Sequence, residues 1–248
     1  MSSASQVDLV LVIDTSASMR PCINALKQHL RELIQPVQGH ISKLRFGLVG
    51  VSATSHGDQH IYRVETLAGG TDSLSALYDN STQTEFFSLE SSRVLTALDN
   101  LNPSGDEDNL LALDIALDHP FGPIATTKRV VALFSDEKIE SGVQRSAVTA
   151  YIPRIINKLH ARRVKLFCAM PYSDGAQQLS EANGSEIEDV AGGQGLSSVD
   201  FRTLLGQIGK SISASSIQGG LEERYERALF GQDEWVSIED GWRDSDSN

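Results

Sequence analysis

Four apolar runs, Leu9 to Ile13, Leu44 to Val51, Arg129 to Phe134 and Val164 to Met170, recur along the chain with helix-patterned segments between them. That alternation constrains the fold more than any other feature, because a strand followed by a helix and another strand closes most economically as a parallel pair with a crossover. Three of the four runs lack polar alternation and are rich in Val, Leu and Ile, as expected of central strands covered on both faces. His60 to Thr66 alternates more, and follows Leu44 to Val51 after the polar stretch Thr54 to Gln59 with its Gly57. This reads as a hairpin into one antiparallel edge strand. The expected fold is α/β: a doubly wound, mostly parallel central sheet with helices on both faces.

The helices are marked by apolar residues at steps of three and four. From Pro21, which suits a first helical turn, the stripe runs through Ile23, Leu26, Leu30, Leu33, Ile34 and Val37. Similar stripes occupy Val94 to Leu98, Leu110 to Leu117, Val148 to Leu159 and Phe201 to Ile212, the last with Ser197 or Ser198 as N-cap. Gly69 to Ser92 reads as a long polar insertion, and no internal repeat interrupts the pattern. The 248 residues, 40% of them hydrophobic, suffice for a sizeable core. No stretch reaches the roughly 18 apolar residues of a membrane helix. The polar Met1 to Asp8 lacks the basic flank and apolar run of a signal peptide, so a cytoplasmic location is expected. A net charge of -12, from 33 acids and 21 bases, argues against a nucleic-acid partner. Cys22 and Cys168, without CxxC spacing, read as free structural thiols.

Chemistry concentrates where strands end. Asp14-Thr15-Ser16-Ala17-Ser18 follows the first strand directly, in the crevice where a doubly wound sheet binds ligands. One carboxylate and two hydroxyls present the oxygen donors that Mg²⁺ prefers; the same residues also serve as helix caps, and both readings stand on these five residues alone. A second carboxylate, Asp136, closes the run Val130 to Phe134 through Ser135. Two strand-end aspartates in one sheet converge on one edge.

Together, the Asp-x-Ser-x-Ser motif and Asp136 resemble the von Willebrand factor type A (VWA) domain, a Rossmann-like fold, over roughly residues 7–215. The resemblance implies a metal-ion-dependent adhesion site built from three loops. The third, before the helix that precedes the second Asp-bearing strand, corresponds to Ser104-Gly105-Asp106-Glu107-Asp108. Its usual threonine is absent here, so Asp106 is assigned by position, with Glu107 as competitor. Gly69-Gly70-Thr71 looks like the threonine loop but stands one helix too early. The implied site is therefore Asp14, Ser16, Ser18, Asp106 and Asp136 around Mg²⁺ or another divalent cation. Ser16 and Ser18 would ligate directly, and Asp14 and Asp136 directly or through water. The open coordination position would take an Asp or Glu carboxylate from a partner protein, with no bond cleaved. Intracellular, bacterial-type members of the family work beside MoxR-type AAA+ ATPases or in signalling and defence systems, and the resemblance implies such a partner, with neither nucleic acid nor membrane.

The competing reading is a metal-dependent phosphohydrolase with Asp14 as nucleophile. Such enzymes often place a general acid/base Asp two residues later, where this chain has Ser16. The scattered histidines lack ligand spacing, and Gly192-Gly193-Gln194-Gly195 lacks the GK[ST] of a phosphate-binding loop. The VWA-like unit is assigned to 1–218. Residues 219–248 carry nine acids and three bases, a net -6, together with Trp235 and Trp242, the only tryptophans in the chain. Glu222 to Phe230 reads as a short helix, and the segment as a docking tail.

Overall fold

The computed structural model describes residues 6–38, 43–56, 59–72, 85–142, 148–182, 184–190, 206 and 208. The glycine loop at 192–195, the N-cap at Ser197 or Ser198 and the tail 219–248 lie outside the described residues, as do the side chains of Leu33, Ile34 and Val37. Of the stripe from Phe201 to Ile212, Gly206 and Ile208 are described, and both are helical and buried.

Among the described residues the elements run β1 (Gln6–Asp14), α1 (Arg20–Gln38), β2 (Leu44–His56), β3 (Gln59–Thr66), β4 (Gly69–Thr71), α2 (Ser91–Asp99), β5 (Asp106–Glu107), α3 (Asn109–Leu117), β6 (Thr127–Phe134), α4 (Val148–Arg162), β7 (Val164–Met170), α5 (Asp174–Ser180) and β8 (Glu186–Asp189). The strands form one open sheet in the order β4-β3-β2-β1-β6-β7-β8, with β5 paired to β2 off this path. β1, β2, β6, β7 and β8 are mutually parallel, and β3, β4 and β5 pair antiparallel. The fold is thus the mostly parallel, doubly wound sheet expected from the alternation. The antiparallel strand next to β2 is present, and the three-residue β4 pairs along its outer side.

Alternate side chains of each central strand feed two separate cores, as a period of two requires. Leu9, Leu11 and Ile13 of β1 meet Ile23, Leu26 and Leu30 of α1 on one face, together with Val94 and Leu98 of α2. Val10 and Val12 point the other way, to Leu113 and Leu117 of α3 and Ile155 and Leu159 of α4. Each such aliphatic side chain contributes about 1.5–3 kcal/mol by leaving water, so the central strands and these helices dominate the stability. All nine residues of α3 are buried. Its one acid, Asp114, and the C-cap Asp118 meet Arg154, Lys158 and Arg162, spaced four apart on α4. No helix among the described residues is long and apolar enough to cross a membrane.

One mismatch in strand length shapes the functional edge. β1 stops at Asp14, opposite Val51, whereas β2 continues for the five residues Ser52 to His56, paired with β3. The edge of β2 that β1 vacates is taken by β5, with Ser52 opposite Glu107 and Ala53 opposite Asp106. A short antiparallel strand therefore stands in the lane of β1, directly beyond the Asp-x-Ser-x-Ser loop.

Candidate metal centre

Parallel register brings the two strand-end motifs side by side. Ile13 pairs with Phe134, so the next residues on each strand, Asp14 and Ser135, are neighbours, and Asp136 follows. The Ser16 N–H donates to Asp14 Oδ1 at 2.7 Å, an Asx-type bond that curls the loop over the strand end. The Ser135 hydroxyl has one proton and two acceptors within reach, Asp14 Oδ2 at 2.7 Å and the Glu137 carbonyl at 3.2 Å. The shorter contact, to a carboxylate, takes the proton. Asn109 Nδ2 at 2.9 Å and the Glu137 N–H at 3.1 Å occupy the lone pairs of the same hydroxyl, so its direction is fixed.

A second chain links the other three groups. Ser18 Oγ donates to Asp136 Oδ1 at 3.2 Å, and Ser16 Oγ and Ser18 Oγ lie 3.0 Å apart. With the Ser18 proton on the Asp136 carboxylate, the Ser16 hydroxyl has Ser18 Oγ and the Asp14 carboxyl as its two acceptors. The two hydroxyls thereby link Asp14 to Asp136. Ser16 does not cap the following turn through its side chain, which removes the purely structural account of that hydroxyl.

Asp14, Ser16 and Asp136 are buried, while Ser18 is exposed at the mouth. Burial pushes the Asp14 carboxyl up to about 6, against the lowering effect of its bonds from Ser135 and Ser16, and the neighbouring charge of Asp136 adds to the rise. Among the described residues no salt bridge reaches either aspartate. Two carboxylates joined through hydroxyl oxygens, without a protein cation between them, form a donor set suited to a hard divalent ion. Among the described residues no three His, Cys, Asp or Glu side chains form a metal-holding group, so any such site depends on the serine oxygens.

The third loop is fastened to the first. Ser104 N–H donates to the Thr15 carbonyl at 2.8 Å and Ala17 N–H to the Gly105 carbonyl at 3.3 Å. Gly105 has φ +68°, and a Cβ there would lie 2.3 Å from the Ala53 carbonyl oxygen, so only glycine lets β5 approach β2 this closely. Asp106 is exposed, and among the described residues no hydrogen bond ties it to Asp14, Ser16, Ser18 or Asp136. Strand parity separates the two candidates of this loop. Asp106 lies opposite Ala53, on the parity of Val49 and Val51, and Val51 is the partner of Asp14; Glu107 lies opposite Ser52, on the other parity. Thr71 is on β4, with β3 and β2 between it and β1. Asp108 caps α3, accepting from Leu111 N–H at 3.1 Å.

Sequence reasoning missed Ser135 and Asn109. A signal for Ser135 was available, since two parallel neighbours ending in Ile13 and Phe134 place it next to Asp14. Asn109 has no such signal, because its contact arises from the packing of the α3 N-terminus over the sheet. Cys22 and Cys168 are both buried, and complete burial pushes the Cys168 thiol far above its usual range, in keeping with structural thiols.

No family model matches the chain, and no curated protein matches it in sequence. Solved structures do share its fold. The SpRpn10 VWA domain superposes with a TM-score of 0.53 at 13% identity, covering 82% of this chain and 95% of that domain. The pilus adhesin SpaC from Lactobacillus rhamnosus GG gives 0.55 at 13% identity over 84% of this chain, which is 30% of the adhesin. Proximal thread matrix protein 1 from the mussel byssus gives 0.51 at 14% identity, over 82% of this chain and 47% of that protein. The chain has the VWA fold.

Proposed function

We propose that the protein is a metal-ion-dependent protein-binding module of the adhesion-site type and not an enzyme. The observation that carries this reading is the hydroxyl chain of Ser16 and Ser18 linking the buried Asp14 to Asp136, at the sheet edge where this fold leaves its crevice. Mg²⁺ or a similar divalent ion would be held by Asp14, Ser16, Ser18 and Asp136, with Asp106 as the third-loop ligand favoured by strand parity. Bound there, the ion would supply an attractive charge for a carboxylate from outside. The chain's residues do the rest: Ser135 and Asn109 fix the Asp14 carboxyl, the bonded loops hold the hydroxyls in place, and burial keeps water from the charged groups.

The phosphohydrolase reading is disfavoured by the state of Asp14. A nucleophilic carboxylate needs an oxygen free to reach phosphorus, and both oxygens of Asp14 accept hydrogen bonds in a side chain with 1% exposure. The partner is a protein with an exposed Asp or Glu, within a cytoplasmic, bacterial-type assembly in which a MoxR-type AAA+ ATPase supplies any energy-dependent step.

Capture from native lysate tests this reading. Partners are expected to be retained in Mg²⁺, released by EDTA, and lost with Ser16→Ala. Equal retention in all three conditions would refute it.

A further inference from the structure

A groove of about 490 Å³ runs along the whole of α2, between that helix and the β3–β4 hairpin. Leu67, Ala97 and Leu101 supply apolar lining beside polar groups that include Glu65, and Arg63 from β3 and Arg93 from α2 line its two sides. Arg63 pairs with the buried Glu65 and the exposed Asp72, and Arg93 pairs with the partly exposed Glu85. The pairs with Asp72 and Glu85 lie toward solvent, where ion pairs are weak and exchangeable, so an incoming carboxylate can share or replace these two partners. Apolar side chains between two guanidinium groups match a short acidic peptide with a large aromatic side chain.

The chain itself contains that peptide. In a protein of net charge -12, the two tryptophans are both in the segment after residue 218, and Asp233-Glu234 directly precede Trp235. Ile208, the last described residue, is buried in the same core cluster as Leu67 and Leu101, so the chain beyond it starts from the face of the sheet that carries the groove. From Ile208 to Trp235 an extended chain spans about 90 Å, far more than the width of the domain face. We propose that the segment around Asp233-Glu234-Trp235 docks in cis in the groove between α2 and the β3–β4 hairpin, with its acids on Arg63 and Arg93 and the indole on Leu67, Ala97 and Leu101.

The docking site abuts the candidate metal centre through one loop. Leu101 lines the groove, Asn102 N–H donates to Glu65 Oε2 at 3.2 Å, and Ser104 N–H bonds to the motif residue Thr15. An occupied groove therefore braces the loop that carries Gly105 and Asp106. This inference does not depend on the metal reading and is tested without metal.

Because the only tryptophans are in this segment, intrinsic tryptophan fluorescence of the full chain reports on it alone. Wild type is expected to show blue-shifted emission and protection from acrylamide, unchanged on dilution. The double variant Arg63→Glu/Arg93→Glu should red-shift the emission to that of tryptophan in water and raise quenching severalfold. Thr96→Glu, at an exposed position of the same helix that also lines the groove, should do the same without touching the core. Far-ultraviolet circular dichroism verifies that each variant is folded. Fully exposed tryptophans in wild type, protection that both variants leave intact, or protection lost on dilution would each overturn docking in cis in this groove.

Discussion

The Ser18 hydroxyl donates to Asp136 Oδ1 at 3.2 Å across 118 positions of sequence. This bond joins the loop after β1 to the loop after β6, and the Ser16 hydroxyl extends it back to the start of the motif. Removing the Ser18 hydroxyl breaks the chain and takes a hydrogen bond from the buried Asp136 carboxylate. Ser18→Ala is therefore expected to cost metal-free stability about 1–3 kcal/mol, the worth of a hydrogen bond to a buried charged group, while lowering Mg²⁺ affinity at least tenfold. Denaturant unfolding with EDTA, set beside Mg²⁺ titration, separates the two effects.

Gly105 allows a backbone-level test of the third loop. Gly105→Ala must either push β5 off β2 or strain a positive φ, at a cost of order 1–3 kcal/mol, and either outcome moves Asp106. Mg²⁺ binding should weaken, and amide exchange at Ser52 and Ala53 should quicken, while exchange in the central strand β1 stays slow. Unchanged exchange at Ser52 and Ala53 would contradict the pairing.

Two buried titrating groups give opposite pH slopes. Without metal, the Asp14 carboxyl titrates at about 6 in the folded protein against 3.8 as the ordinary value. Between about pH 4 and 6 the native state thus keeps a proton that the unfolded chain has lost, and this group's contribution falls as pH rises. Its full swing is about 3 kcal/mol. His119 behaves the other way. It is fully buried, its Nδ1–H donates to the Ile115 carbonyl at 3.1 Å, and Phe86 and Phe87 stand edge-on to its ring. Burial lowers it from 6.5 to about 4, so between those values the unfolded chain binds a proton that the native state refuses, and stability falls as pH falls.

Chemical denaturation from pH 7 to pH 4 in EDTA checks both. Relative to wild type, Asp14→Asn should be more stable near pH 7, with the advantage vanishing by about pH 4. His119→Leu should gain on wild type by about 3 kcal/mol as pH drops through the same window. Parallel profiles for all three proteins would refute these assignments.

Asp8, fully buried at the opposite end of β1, receives Arg45 Nε and Nη2 at 2.7 Å each and the Gly122 N–H at 2.7 Å. Arg45→Met leaves this carboxylate without its cation and is expected to cost about 3–5 kcal/mol. The loss should be seen as a lower denaturant midpoint, with Mg²⁺ affinity of the folded protein unchanged, since the pair sits far from the metal centre.

What the sequence disclosed depended on whether a signal was local. The central strands and the helices α1, α2 and α4 carry their own apolar periodicity, α3 is apolar on every side, and the Asp-x-Ser-x-Ser loop is legible from its residue types. The extension of β2 from Ser52 to His56 has no apolar run, because pairing with β3 and β5 forms it. β8 reads Glu-Ile-Glu-Asp and becomes a strand through its register with β7 and the Lys165–Glu186 ion pair. α5 contains Gly175, a residue that reads as a loop; the Ser173 cap and the Glu140 carboxylate on the Gly175 N–H hold its first turn. Likewise the contact of Asn109 with Ser135 exists only once α3 lies on the sheet.

The central claim, a divalent ion held by the hydroxyls and carboxylates of two strand-end loops, is tested most directly by isothermal titration of Mg²⁺ into EDTA-stripped full-length protein, alongside Ser16→Ala and Asp136→Ala. A single saturable site in wild type, lost in both variants while circular dichroism shows an intact fold, is the expected result. Absence of saturable binding in wild type, or equal binding in either folded variant, would contradict it.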